Sequence, residues 1–192
     1  MVLPNALLFP HALLPLYIFE PRYRAMLAHA LEQQRMFCIA LMMPGISEAR
    51  STEDFHQVAG LGLVRACVGR EDGTSHLVLQ GLARVRFTDF SQDRPFRIAR
   101  IAEVRSDIGD LSEGKNLCAQ VLAVCAEHRA RGVDVPPALD EQLAQISDAD
   151  VLSDVVAHTF VRDLGRRQQL LEEPNVPTRL RLLLDSLRAE LQ

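Results

Sequence analysis

The chain has 192 residues, 48% apolar and 24% charged, and carries a formal charge of −4 from 21 basic and 25 acidic side chains. That length supports one domain, or one domain with an appendage, and buries roughly 70% of the unfolded surface without disulfide or metal staples. The acidic balance argues against nucleic-acid binding driven by net charge.

The opening, Phe9 to Tyr23, is almost wholly apolar, yet proline stands at 4, 10, 15 and 21. Each interior proline removes a backbone donor and clashes with the preceding turn, so this stretch is predicted to run extended and buried. Neither a signal peptide nor a membrane span fits it, and a cytoplasmic location is expected. A helix is predicted from Pro21, because the first helical position does not need the N–H that proline lacks. It extends to 34 with Tyr23, Leu27, Ala30 and Leu31 on one face. Met36 to Met42 reads as a buried strand, and residues 44 to 55 as a polar surface loop. The next strand covers 57 to 69, where Gly60 and Gly62 suggest a bulge or a barrel corner. Asp72-Gly73 forms the core of a hairpin turn. The returning strand alternates, with Leu77, Leu79, Gly81, Ala83, Val85 and Phe87 inward and His76, Gln80, Arg84, Arg86 and Thr88 mainly outward. Gly81 is expected to let this strand kink and serve two sheets. Pro95 to Val104 is the last strand.

After about Asp107 the pattern turns helical. Leu117, Val121, Val124 and Cys125 form an apolar stripe that Gly132 and Pro136-Pro137 terminate. Ser147 with Asp150 has capping-box spacing and opens a helix through Leu152, Val155, Val156 and Phe160, which Gly165 interrupts. Pro174 and Pro177 bracket a turn, and Leu180, Leu183, Leu184, Leu187 and Leu191 share one side of the last helix. The predicted class is therefore α+β, with a β-barrel-like part over 1–107 and a helical part over 108–192.

The pieces Phe9-Pro10, Leu14-Pro15-Leu16, Ile18-Phe19-Glu20-Pro21-Arg22-Tyr23 and the hairpin from Asp72-Gly73 to Gly81-Leu82-Ala83-Arg84-Val85-Arg86-Phe87 resemble the substrate-binding, N-terminal domain of the ATP-dependent Lon proteases. Asp154, Arg167-Gln168-Gln169-Leu170-Leu171-Glu172 and Arg179-Leu180 extend the resemblance over nearly all of the chain. It implies a PUA-like pseudo-barrel with one early helix, followed by a helical bundle, and a role in holding polypeptide substrates or partner proteins. The sequence departs from the family in its long polar loop at 44 to 55 and in Leu61 between two glycines. No G-x-x-x-x-G-K-[ST] phosphate loop is present. The single lysine, Lys115, lies in a polar context that does not suit a catalytic amine. The resemblance thus implies a stand-alone binding domain without ATPase or peptidase modules.

Other constellations have plainer readings. Cys38, Cys67, Cys118 and Cys125 form no C-x-x-C pair and read as buried thiols. Cys118, Cys125 and His128 lack a fourth ligand for a metal, so the cysteines read as core beside a surface histidine. Glu20 and Arg22 read as a charge pair at a helix start. No G-x-S-x-G elbow or nucleophile–base pair is found, and neither enzyme activity nor a cofactor is expected. The polypeptide site is expected around Phe9, His11, Tyr17 and the loop after Met43. An RNA-binding reading rests on Arg84, Arg86, Arg97 and Arg100, which lack interleaved aromatics for base stacking. A small-molecule reading places a cleft near Ser106 to Gly114. A dimer is compatible with an apolar edge strand or helix face.

Overall fold

Leu7, Leu8, Phe9 and Pro10 are all buried and none is helical, as the prolines require. The computed structural model describes residues 1–91, 94–132 and 143–191. The chain divides into two units, Met1–Val104 and Arg105–Gln192.

The first unit holds strands β1 (Val2–Leu3), β2 (Leu13–Ile18), β3 (Met36–Leu41), β4 (Val58–Gly69), β5 (Ser75–Ser91) and β6 (Ile98–Glu103), with helix α1 (Pro21–Glu32) between β2 and β3. The sheet order is β1-β3-β4-β5-β2, and β6 also pairs with β5. β1 and β3 are parallel, and the other pairings are antiparallel. β2 pairs with β5 over 75 to 80 and β6 pairs with it over 85 to 91, end to end along the edge opposite β4. In α1, Pro21 sits in the first turn and Tyr23, Met26, Leu27 and Ala30 are buried at the spacing of one helix face. Glu20 and Arg22 pair at 2.9 Å.

Two apolar clusters lie on opposite faces of β3. Phe37 and Ile39 join Leu8, Ile18, Tyr23, Leu27, Val64, Leu77 and Leu79 in the first. Ala40 joins Met42, Ala49, Phe55, Ala59 and Val85 in the second. The loop at 44 to 55 is thus anchored by Ala49 and Phe55, and it closes with a 3-10 turn at Thr52–Asp54 capped by Ser51.

β5 serves both clusters, but its offset comes from Leu82. Gly62 faces Gly81 while Leu61 faces Ala83, so Leu82 is an extra residue without a partner on β4. A bulge reverses the inward–outward alternation beyond it. Leu77 and Leu79 therefore enter the first cluster, whereas Val85 and Phe87 enter the second. Arg84, expected on the solvated face, is buried for the same reason. The glycines act through close backbone approach. A Cβ at Gly60 would strike the Leu8 carbonyl oxygen, and one at Gly81 would strike that of Phe9. Both positions let the buried opening segment cross the sheet at backbone contact. His11 N–H then donates to the Gly81 carbonyl at 3.0 Å.

The second unit contains α2 (Leu111–Ala130), α3 (Ala149–Phe160), α4 (Leu164–Glu172) and α5 (Val176–Glu190). Asp110, Asp148, Asp163 and Asn175 cap them, each side chain accepting from backbone N–H groups of the first turn. The α3 cap is thus Asp148, not Ser147, and Asp150 is engaged with Arg179 instead. Gly165 lies in the first turn of α4, and the break falls at 161–163, where Asp163 starts a new helix. Gly132 follows α2 at φ +88°, whereas Pro136-Pro137 lie outside the described residues.

Arg179 of α5 has no exposed surface. Its Nε donates to Glu173 O at 2.9 Å. One terminal nitrogen reaches Asp150, Ser153 Oγ at 3.1 Å and Asp154 at 3.5 Å, and the other reaches Ser106 Oγ at 3.2 Å and Pro174 O at 3.3 Å. A buried guanidinium is tolerable only with such coverage. His128, expected at the surface, is buried, with Nε2 donating to Leu187 O at 2.9 Å. No helix among the described residues is long and apolar enough to cross a membrane.

Candidate polypeptide-binding face

β2 alternates in exposure along its length. Leu14 and Leu16 lean on the first cluster, while Leu13, Pro15 and Tyr17 point outward. Opposite them on β5 stand Gln80, Val78 and His76, and beyond Val78 and His76 on β4 stand Ala66 and Val68. The outer face of this three-strand region is consequently apolar and open. Leu13 is 55% exposed, Tyr17 44%, Phe19 57% and Val68 66%. A shallow groove of about 430 Å³ runs over it, floored by Pro15, Tyr17, Ala66, Val68, His76 and Val78.

Three rings form a ladder on this face. Tyr17 stacks on His76 with centroids 4.7 Å apart and on Phe19 at 5.7 Å. The Arg70 guanidinium lies 5.8 Å from the Tyr17 centroid. The close Tyr17–His76 approach follows from strand register. Gly81 N–H donates to Ala12 O at 2.9 Å, which marks that pair as hydrogen-bonded. By alternation Leu13, Pro15 and Tyr17 then occupy non-hydrogen-bonded pairs, where side chains come closest. Pro15 accordingly loses no bond to β5. The N–H that it lacks would have faced the other edge of β2, where no described strand pairs.

The residues singled out in the sequence do not form one cluster. Tyr17 is central to the exposed face. Phe9 is wholly buried, and full burial of such a ring stabilises the fold by about 1.5–3 kcal/mol. His11 is exposed at φ +65° next to Gly81. Met43 is half-buried at the start of the loop, with its N–H donating to Asp54 O at 2.8 Å. None of these three lines the groove. Leu13, Phe19 and Val68 were missed; the signal was the odd-numbered run Leu13, Pro15, Tyr17 and Phe19, all apolar where a half-buried strand should turn polar residues outward.

The four arginines of the RNA reading are also dispersed. Arg84 is buried and Arg86 exposed. Arg97 donates to Ala49 O at 3.1 Å and Arg50 O at 2.7 Å, and it stacks over Phe55. Arg100 lies 3.9 Å from the Asp89 carboxylate. Ser106 to Gly114 belongs to the second unit, where Asp107 bridges to Asn175 and Ser106 receives Arg179. No group of three or more metal-ligating side chains occurs among the described residues.

The architecture is that of Lon N-terminal domains. It aligns with the N-terminal domain of Mycobacterium avium complex Lon protease at TM-score 0.76 and 17% identity, covering 98% of this chain and 96% of that one. With the Lon N-terminal domain protein from Xanthomonas campestris the TM-score is 0.67 at 18% identity, covering 96% and 95%. The family model for the ATP-dependent protease La (LON) substrate-binding domain matches residues 1–189, and the chain belongs to that family. The Lon protease of Desulfosudis oleivorans is 25% identical over 195 residues, which take in all of this chain and 24% of that protein. Lon protease 2 of Herpetosiphon aurantiacus is 27% identical over 184 residues, or 95% of this chain and 23% of that protein. The chain therefore spans about a quarter of the length of these relatives.

Proposed function

We propose that this protein captures exposed apolar segments of other polypeptides on the outer face of β2, β5 and β4, by binding alone and without chemistry of its own, in the cytosol. The observation that carries this reading is the contiguous exposure of Leu13, Tyr17, Phe19 and Val68 around a stacked aromatic ladder. Apolar patches of this kind on a soluble surface mark interaction sites, and aromatic rings are the usual anchors. Membership of a substrate-binding family supports the same assignment. Phe9, placed in the site by sequence, contributes to folding instead. The proposed anchors are Tyr17, Phe19 and Leu13.

Fluorescence anisotropy with a labelled, permanently unfolded polypeptide tests the proposal. Saturable binding that survives moderate salt is expected, because apolar burial is not screened. The double substitution Tyr17→Ser/Phe19→Ser removes only exposed side chains. It should weaken binding at least about tenfold while leaving the melting curve close to the parent's. Unchanged affinity in that folded variant would rule out this face. A labelled single-stranded RNA serves as the parallel arm, and binding to RNA alone, lost steeply with salt, would favour a nucleic-acid role instead.

A further inference from the structure

The apolar face has one chemically distinct end. Val64 faces Leu79 and Ala66 faces Val78, so Arg65 is an extra residue on β4, bulged out of the ladder. Its Nε donates to the side-chain oxygen of Gln80, which stands opposite Leu13 at the far end of the face from Arg70. That bond uses Nε only. Both terminal nitrogens are without a partner among the described residues, and Arg65 makes no ion pair there. Arg35 adds a second cation nearby, its Nε on the Val64 carbonyl at 3.4 Å. The opposite end differs. There Arg70 and Arg24 lie close enough to Asp72 to help hold its carboxylate ionised, after the Thr74 hydroxyl and N–H, and Glu71 adds another negative charge.

We infer that the face selects apolar segments that carry a carboxylate at one end, received by the Arg65 fork, with the apolar residues lying along Leu13, Pro15 and Tyr17. A guanidinium held at Nε offers its two terminal N–H groups end-on, a geometry that matches the two oxygens of Asp or Glu. The gap from Leu13 to Tyr17 is four residues of strand, about 13 Å, so the apolar part of an extended partner is about four or five residues long. The inference rests on the outer face being the polypeptide site. It adds the class of segment that site prefers.

The test uses three end-labelled peptides that share one apolar core and differ only at one terminus: two Asp, two Gln or two Lys. Anisotropy at low salt should rank them Asp, Gln, Lys in falling affinity, with about three- to tenfold between the first two. Added salt should narrow that gap. Arg65→Glu should reverse the Asp–Lys order, whereas Arg100→Glu, an equal change of net charge on β6, should leave it intact. A preference for Asp that persists in Arg65→Glu would overturn the inference. So would equal binding of all three peptides, and if Tyr17→Ser/Phe19→Ser still abolished that binding, the capture reading would stand without it. Failure of every peptide to bind would remove both.

Discussion

Cys125 and His128 lie three residues apart on the buried face of α2, 1% and 3% exposed. Burial pushes the Cys125 thiol up to about 12. The nucleophile in alkylation is the thiolate, and at pH 8 its fraction there is on the order of one in ten thousand. Iodoacetamide at pH 8 should therefore leave Cys125 unmodified in the native protein and modify it in denaturant, as read by peptide mass spectrometry. Rapid native labelling of Cys125 would contradict its placement. The sign of the linkage also follows. The unfolded thiol ionises near its ordinary value of 9.0 and the folded one near 12, so this group's contribution is intact below pH 9 and is lost as pH rises towards 12. The place of Cys125 was legible in the stripe Leu117, Val121, Val124. His128 continues that stripe, but a polar side chain reads as solvent-facing until its partner, the Leu187 carbonyl, is known. Arg179 was obscured in the same way: its partners are scattered from Ser106 to Pro174.

Among the elements, β5 shows what periodicity conveys and what it omits. Its existence, its hairpin and its apolar residues follow from alternation and Asp72-Gly73. The bulge at Leu82 does not, because an unpaired residue is defined by the partner strand. A single alternating face from 77 to 87 was therefore the wrong pattern, and it sent Arg84 to solvent. The glycines were legible as exceptional positions, though their reason lies in a segment some fifty to seventy residues away, since Leu8 and Phe9 press their carbonyls against them. Gly81→Ala should cost about 2–3 kcal/mol in urea denaturation followed by tyrosine emission, because backbone rather than a flexible side chain must move. Gly69→Ala, where the nearest atom is Ser75 Oγ at 3.9 Å, should cost less than about 1 kcal/mol. Equal effects at the two positions would refute the close-approach argument.

At the scale of the whole molecule, the two units can be followed by separate signals. Both tyrosines, Tyr17 and Tyr23, belong to the first unit, and the chain has no tryptophan. Most helix belongs to the second. Arg179→Ala removes a wholly buried guanidinium that reaches the carboxylates of Asp150 and Asp154, the latter itself buried. It should remove about 3–5 kcal/mol from the transition seen by circular dichroism at 222 nm. The tyrosine transition should stay where it is in the parent, and a common shift of both would show that the units unfold as one. The family was legible from the proline-punctuated opening, whereas of the exposed apolar face proposed for capture only Tyr17 was singled out in the sequence, because exposure depends on which strands β2 meets. Pro15 adds a last consequence. With its donor missing from the open edge, β2 makes a poor template for another strand, from a client or from a second copy of the chain. On the proposed capture reading, a client gripped through side chains alone would keep its own amides in water and could be peeled away residue by residue without a hydrogen-bonded ladder to unzip.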